Sequence, residues 1–318
     1  MLPINSAMRG GNGPARYFVV GAMVCAALST ASGQSAPAPT PQQASPMMES
    51  TRRHERLTMR AFPGMLRTTV SVAGQPVELF IPAGVRSRRS VDLLIHFHGA
   101  SWIAQQAASR LKTPTLVATI NLGAGSGVYD RSFREPAVFD SLLARLMEDV
   151  RTATERPVKT GRVILTGFSA GHGAIRAILR EPRHQERVDA VLLMDGFHTS
   201  YVPEGKVLAN GGVLDSTNLL AIARYARAAV DGGKRLLMTH SEIFPGTFAS
   251  TTETADWLVW RLEVPRLPVL RWGPRGMQQL SEVHAGNFRV LGFAGNTAPD
   301  HVDHYHAMPE LLRALVGR

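Results

Sequence analysis

The first regular pattern along the chain is an alternation of apolar and polar residues over Thr68–Ile81, interrupted by Ala73-Gly74-Gln75. Alternation with a period of two indicates a strand with one buried face, and small residues between two such halves indicate a tight turn. The segment therefore predicts an antiparallel hairpin.

After the hairpin, short apolar runs alternate with longer segments of helical periodicity. Apolar residues recur three and four positions apart from Phe139 to Val150, which predicts an amphipathic helix. Helices are also predicted over Ala170–Leu179 and Pro309–Val316. The apolar runs predict buried strands over Val91–Phe97, Thr115–Asn121, Arg162–Thr166, Val188–Met194, Arg235–Thr239 and Phe288–Phe293.

The order of these elements predicts the fold class. Strands that alternate with helices form parallel sheets, because each helix carries the chain back to start the next strand in the same direction. We expect an α/β fold with a mostly parallel, doubly wound sheet of about eight strands. The antiparallel hairpin begins this sheet, and helices cover both faces.

The amino-terminal region has the composition of an export signal. Arg9 and Arg16 supply positive charge, and the apolar run Tyr17–Leu28 is too short to span a bilayer comfortably. Small residues follow this run, as they do before a signal cleavage site. We expect a signal peptide over residues 1–33, cleaved after Gly33, with Ala36 as the alternative.

The next segment separates this signal from the folded part. Residues 34–54 are rich in Pro, Ala, Ser and Gln and predict a disordered linker, since they cannot bury a core. One domain is expected over residues 55–318. The mature protein is therefore predicted to be periplasmic or extracellular, with no stable membrane insertion after signal cleavage.

Composition and charge restrict the chemistry further. The formal net charge is +10, but no nucleic-acid motif accompanies the scattered arginines, so we expect a solvated basic surface and no nucleic-acid partner. The single cysteine, Cys25, lies in the predicted signal, which leaves a mature protein with no disulfide, thiol catalysis or thiolate metal site. No cofactor or metal is expected. The sequence leaves the oligomeric state open.

The motif that points to chemistry is Gly167-Phe168-Ser169-Ala170-Gly171, which has the pattern G-x-S-x-G. A predicted strand leads into it and a predicted helix leaves it, which is the context of a nucleophile elbow. The sharp reversal strains the backbone at Ser169, and the glycines allow neighbouring chain to approach closely. Ser169 is therefore the predicted nucleophile.

With this elbow, the chain over residues 65–318 resembles the α/β-hydrolase superfamily. The segment His96–Trp102 also resembles the H-G segment that forms half of that family's oxyanion hole. The resemblance implies one donor among the N–H groups of Gly99, Ala100 and Ser101, with Ala100 favoured. It implies that the N–H group of Ala170 is the second donor.

The resemblance also implies a histidine base in the loop after the last strand. That loop is predicted over Ala294–Asp303 and is followed by His304 and His306. We expect His301, still within the loop, to be the base, with His304 as the alternative. His172 follows the nucleophile by only three residues and is interpreted as structural or as pocket lining.

The third member of the expected triad has two candidates. The common family order places an acid after the strand Arg235–Thr239, where Glu242 stands, whereas some members carry it after the preceding strand, where Asp195 stands. We expect Asp195, because it directly follows an apolar strand at the edge where the site forms. Asp300 and Asp303 are interpreted as turn and cap residues.

These residues predict an exported serine hydrolase that cleaves a carboxylic ester, small or polymer-borne, through an acyl-enzyme on Ser169. An acyltransferase or a peptidase would use the same triad. A non-catalytic binding protein on a hydrolase scaffold is the third alternative.

Overall fold

The apolar runs of the sequence form strands in the computed structural model, which describes residues 53–317. Numbered in chain order, these strands are β1 (Gly64–Val72), β2 (Gln75–Pro82), β3 (Ser90–Phe97), β4 (Thr115–Ile120), β5 (Lys159–Phe168), β6 (Ala190–Met194), β7 (Tyr201–Val202), β8 (Val213–Leu214), β9 (Arg235–His240), β10 (Leu267–Trp272), β11 (Gln278–Ala285) and β12 (Phe288–Phe293). The predicted signal peptide and residues 34–52 of the predicted linker lie outside the described residues.

Helices occupy most of the segments between these strands. They are α1 (Ser101–Ser109), α2 (Ser126–Ser132), α3 (Pro136–Thr154), α4 (His172–Ile178), α5 (Pro182–Arg187), α6 (Leu220–Val230), α7 (Thr251–Leu262), α8 (Ala298–His306) and α9 (Met308–Val316). Within residues 53–317, no helix combines the length and the apolar character that a membrane crossing needs.

Ten of the strands form one sheet in the order β1-β2-β4-β3-β5-β6-β9-β12-β11-β10. The six central strands, from β4 to β12, pair in parallel. Antiparallel strands flank them, with the hairpin of β1 and β2 at one edge and β11 and β10 at the other. The predicted α/β fold class is confirmed by this topology, and the parallel centre explains why the buried strands read as continuous apolar runs.

The sheet has ten strands where the sequence pattern indicates eight. The two additional strands are β10 and β11, which extend the sheet beyond β12. Leu267, Leu270 and Trp272 of β10 are exposed, and β11 reads QQLSEVHA, with few apolar residues. The edge strand β10 buries little surface, and β11 beside it carries mostly polar side chains, so neither strand leaves an apolar run in the sequence.

Two hydrophobic cores lie on opposite faces of this sheet. Successive side chains of a strand point to opposite faces. Leu93 accordingly packs in one core with α3, α4, α6 and α7, whereas Leu94 packs in the other with α1 and α9. Helices therefore cover both faces, as predicted.

The parallel centre also positions the candidate site. The carboxyl ends of β5, β6 and β9 lie at one edge of the sheet, because these strands run in the same direction. Ser169, Asp195 and Ser241 are the first residues after these three strands. Side chains that are far apart in the sequence therefore meet at this edge.

Candidate active site

The elbow at Ser169 is a strained reversal between a strand and a helix. β5 ends at Phe168, residues Ser169–Gly171 form a single 3-10 turn, and α4 begins at His172. The φ angle of Ser169 is 47°, in the left-handed region that non-glycine residues rarely adopt. A Cβ atom at Gly171 would lie 2.1 Å from the carbonyl oxygen of Phe97. The glycine at this position is therefore required for the elbow to pack against β3.

Asp195 is buried and accepts hydrogen bonds from three neighbouring groups besides a histidine. The Ser241 N–H donates at 2.9 Å, the Ser241 hydroxyl at 2.8 Å and the Thr251 hydroxyl at 2.7 Å. Burial alone would raise the pKa of Asp195, but His304, the hydrogen bond from His301 and the Thr251 hydroxyl together hold that pKa well below its usual range. Asp195 is therefore a carboxylate that stays ionised inside the protein.

The histidine that binds Asp195 is His301. Its Nδ1 lies 2.6 Å from Asp195 Oδ2. An ionised carboxylate only accepts hydrogen bonds, so Nδ1 carries the proton, and the neutral imidazole has its lone pair on Nε2. The ring packs on Phe168, with centroids 4.6 Å apart. His301 and Ser169 line the same cleft.

His301 stands in a helix, which corrects the expectation that it lies in a loop. The predicted loop Ala294–Asp303 ends at Thr297, and α8 starts at Ala298. The Thr297 hydroxyl accepts from the Asp300 N–H while the Asp300 carboxylate binds Thr297, which is a capping box. This cap fixes the first turn of α8, and His301 belongs to that turn.

The alternative base and the alternative acid make other hydrogen bonds. His304 is buried, with its Nδ1 2.7 Å from the Thr239 hydroxyl. The Glu242 carboxylate accepts the Gly295 N–H at 3.2 Å. The hydrogen bond from an imidazole to a buried carboxylate that a base needs is the one between His301 and Asp195.

The segment after β3 holds the candidate oxyanion donors. Gly99 has a φ angle of 134°, and its N–H donates to the Asn121 side chain at 2.8 Å, so this donor is already used. Ala100 directly precedes α1, and Ala170 is the second residue of the 3-10 turn. N–H groups at such positions have no partner within their own helix.

Two further histidines, His172 and His198, lie beside the backbone of Ser169. His172 donates its Nδ1–H to the Ser169 carbonyl at 2.9 Å, and its Nε2 accepts from the His198 N–H at 3.4 Å. Burial lowers the pKa of His172 to about 3, with His198 and Arg176 adding to the effect. His172 is therefore neutral, and it holds the elbow through the Ser169 backbone.

Two clefts meet at Ser169, and the structure also places His198 and Phe248 in the wall of both. The cleft that contains His301, here called the His301 cleft, has a volume of about 300 Å³. The other, here called the Arg176 cleft, has a volume of about 400 Å³. An ester whose carbonyl carbon reaches Ser169 has room for one substituent in each cleft.

One cluster near the site has residue types that bind metals. Ligand atoms of His54, Asp300 and Asp303 lie within 4.8 Å of one another. Asp303 already hydrogen-bonds to His54 at 2.8 Å and forms an ion pair with Arg56 at 2.9 Å. The guanidinium of Arg56 supplies the cation there, and these contacts attach the start of the described chain, including the last residue of the predicted linker, to α8.

No family model matches the chain, and neither does any curated protein. Solved structures with similar folds include an IroE-like serine hydrolase from Shewanella oneidensis, at 12% identity over 78% of this chain and 79% of that one, with a TM-score of 0.42. The siderophore hydrolase EstB from Aspergillus nidulans has 16% identity over 82% and 98%, with a TM-score of 0.44. Esterase 2 from Thermogutta terrifontis has 13% identity over 80% and 94%, with a TM-score of 0.42.

Sequence reasoning missed four residues that shape this site. Ser241 and Thr251 hydrogen-bond to Asp195, His198 lines both clefts, and Arg176 lines one of them. Ser241 could have been found from the sequence, since it directly follows an apolar strand whose carboxyl end lies at the same sheet edge as Ser169 and Asp195. Arg176 and Thr251 lie within helices, where nothing in the local pattern separates them from surface residues.

Proposed function

We propose that this chain hydrolyses carboxylic esters through an acyl-enzyme on Ser169. The observation that carries the proposal is the bond of 2.6 Å between His301 and the buried Asp195, beside a cleft that also contains the strained Ser169. A serine hydroxyl needs a base to become a nucleophile, and an imidazole oriented by a carboxylate is such a base.

In the proposed reaction, His301 Nε2 removes the proton from the Ser169 hydroxyl while Oγ attacks the ester carbonyl carbon. The Ala100 and Ala170 N–H groups bind the oxyanion that forms, each contributing about 3 kcal/mol to transition-state stabilisation. The intermediate collapses, the carbon–oxygen bond to the alcohol breaks, and His301 returns the proton to the leaving oxygen. A water molecule, activated by His301, then releases the acid from Ser169.

Ionised Asp195 has two functions in this scheme. Its hydrogen bond to Nδ1 keeps the proton on that nitrogen, so the lone pair of His301 stays on Nε2. Its charge stabilises the imidazolium that exists while His301 holds the serine proton. The Ser241 and Thr251 contacts hold the carboxylate in position for both.

We also propose that this hydrolysis takes place outside the cytoplasm, in the periplasm or the extracellular space. Support comes from Arg9, Arg16 and the apolar run after them. The predicted signal provides a route across the membrane, after which the mature chain has no cysteine to oxidise.

A fluorophosphonate probe tests the nucleophile, because it phosphonylates only an activated serine. We expect one labelled serine in the wild type and loss of labelling and esterase turnover in Ser169→Ala. Ser126→Ala is the matched control, since Ser126 lines the Arg176 cleft but lies on another element, and it should still be labelled. Labelling that survives in Ser169→Ala would refute the assignment.

Product analysis separates the alternatives that share the triad. Hydrolysis releases acid and alcohol in equal amounts, whereas an acyltransferase gives a transferred ester when an acceptor alcohol is present, and a peptidase cleaves the matching amide at a similar rate. A binding protein would give neither labelling nor products.

A further inference from the structure

The two clefts at Ser169 differ in chemistry. The surface that the His301 cleft exposes is mainly apolar, with Ile243, Pro245, Phe248 and Ala298 in its wall, and its polar lining residues, as far as the structure describes them, include no Lys or Arg. The Arg176 cleft has hydroxyl and amide side chains around one guanidinium, and none of the described residues that line it is acidic. A substrate that fills both clefts therefore meets an apolar wall on one side and a cationic one on the other.

The carboxylate that binds Arg176 does not fully neutralise the positive charge of its guanidinium group. Buried Asp130 binds the guanidinium of Arg176 at 2.9 Å, and it also binds Arg134 and Arg180, each at 3.1 Å. One carboxylate thus faces three guanidinium groups, and the cluster has two positive charges in excess. Arg176 is the most buried of the three arginines, with 11% of its side chain exposed, and the structure places only Arg176 in the cleft wall.

The histidines beside Arg176 do not supply this charge. His172 is neutral for the reasons given above, and burial also lowers the pKa of His198. The guanidinium is therefore the permanent cation of this cleft. Partly desolvated guanidinium groups bind carboxylates strongly, since the charge is screened less than at an open surface.

The chemistry of the proposed reaction decides which half of the ester enters which cleft. His301 must return its proton to the leaving oxygen, so the alcohol leaves along the His301 cleft. The acyl chain then extends into the Arg176 cleft. Resting on the proposed function, we propose that the preferred substrate is an ester whose acyl group carries a second carboxylate, which binds Arg176.

Two p-nitrophenyl esters of equal length test this preference, the anionic hemiadipate and the neutral hexanoate. A charge-assisted hydrogen bond predicts a kcat/KM about tenfold or more in favour of the hemiadipate. Equal values, or a preference for hexanoate, would overturn the proposal. The basic surface could also attract the anionic ester in a general way. Measuring both kcat/KM values again at high salt distinguishes this effect from a contact with Arg176, because salt screens distant charges more than a buried contact.

Variants of the arginine cluster identify the group responsible. Arg176→Gln should abolish the preference for hemiadipate. Arg134→Gln is the matched control, because it removes a partner of Asp130 outside the cleft, and it should retain the preference. Equal loss in both variants would assign the effect to the cluster as a whole and overturn the role of Arg176.

A second pair of variants leaves both Arg176 and Asp130 unchanged. Ser200 is an exposed residue of the Arg176 cleft wall, and Ser200→Asp adds a negative charge there, whereas Ser200→Asn adds similar volume without charge. The ratio of kcat/KM for hemiadipate to that for hexanoate should fall severalfold in Ser200→Asp relative to Ser200→Asn. An unchanged ratio contradicts the proposal even if Arg176→Gln does not fold.

Binding without turnover separates this inference from the proposed function. Calorimetry on Ser169→Ala should detect binding of the anionic monomethyl adipate that is at least tenfold tighter than binding of the neutral methyl hexanoate, and the added Arg176→Gln change should remove the difference. If both p-nitrophenyl esters are hydrolysed through Ser169 but monomethyl adipate gains no affinity over methyl hexanoate, only the substrate assignment fails. If neither p-nitrophenyl ester is hydrolysed, the proposed function fails, and the binding of monomethyl adipate still decides whether the Arg176 cleft binds a carboxylate.

Discussion

His301 Nδ1 and Asp195 Oδ2 lie 2.6 Å apart, although 106 positions separate the two residues in the chain. The acid of this pair comes from the end of β6, while the end of β9 contributes Ser241, which donates two hydrogen bonds to it. Glu242, the next residue, contacts Gly295 instead. Two adjacent strand ends thus build one carboxylate site, with the acid on the first and its donors on the second.

Asp195→Asn should lower kcat by about four orders of magnitude, since an amide cannot hold the proton on Nδ1 of His301 or stabilise its imidazolium. The comparison is with Glu242→Gln, which removes a carboxylate from the neighbouring strand end and should change kcat by less than about threefold. Steady-state kinetics with circular dichroism to verify folding decides the point. A larger loss in Glu242→Gln would move the acid to the end of β9.

His172 makes stability fall in acid. Its pKa is about 3 in the folded protein and about 6.5 when unfolded, so below pH 6.5 the unfolded chain binds the extra proton. The free energy of unfolding therefore falls as pH is lowered from 6.5 to 3, by up to roughly 1.4 kcal/mol per pH unit from this group. Denaturant titrations at several pH values from 7 to 4 give the unfolding free energy as a function of pH. The slope of that dependence should be shallower for His172→Gln than for the wild type. The control is His284→Gln, because His284 is exposed, and this variant should keep the wild-type slope. A slope for His172→Gln equal to that of the wild type would contradict the prediction.

Gly196→Ala should displace the backbone of Ser169, since Gly196 lies just after β6, the strand beside β5. A Cβ atom there would lie 2.4 Å from the carbonyl oxygen of Ser169 and 2.7 Å from its nitrogen, so the backbone must move. We expect a loss of about 2–3 kcal/mol in unfolding free energy and a reduced kcat, because a small displacement of Oγ impairs its alignment. Gly233→Ala, where the nearest atom is 3.6 Å away, should change neither quantity. Wild-type kcat in Gly196→Ala would refute the argument.

The predicted signal is tested by the amino terminus of the exported protein. If residues 1–33 are removed, the mature chain begins at Gln34, and intact-mass spectrometry of the periplasmic or secreted fraction should find that mass. Replacing Arg9 and Arg16 together by Glu should retain the precursor in the cytoplasm, since the positive segment is part of the signal. A chain that keeps Met1 and stays in the cytoplasm would contradict export.

The sequence alone determined the alternation of strands and helices, the elbow at Ser169 and the segments in which Asp195 and His301 stand. These features are readable because buried parallel strands need continuous apolar runs, and because the elbow needs glycine where the chain approaches β3 closely. The fold class follows from this local information.

Only the tertiary structure showed that the contact is between His301 and Asp195. In the sequence, Asp195 and Glu242 both follow suitable strands, and His301 and His304 lie only three residues apart. The tertiary structure also showed the strands β10 and β11, the helical position of His301 and the three arginines around Asp130. Their physical basis is contact between residues distant in sequence: an edge strand is stabilised by its neighbour, and a buried carboxylate by donors from other elements. The order of apolar and polar residues within a segment indicates which of its side chains are buried, whereas the strand order of the sheet determines which side chains from different segments meet.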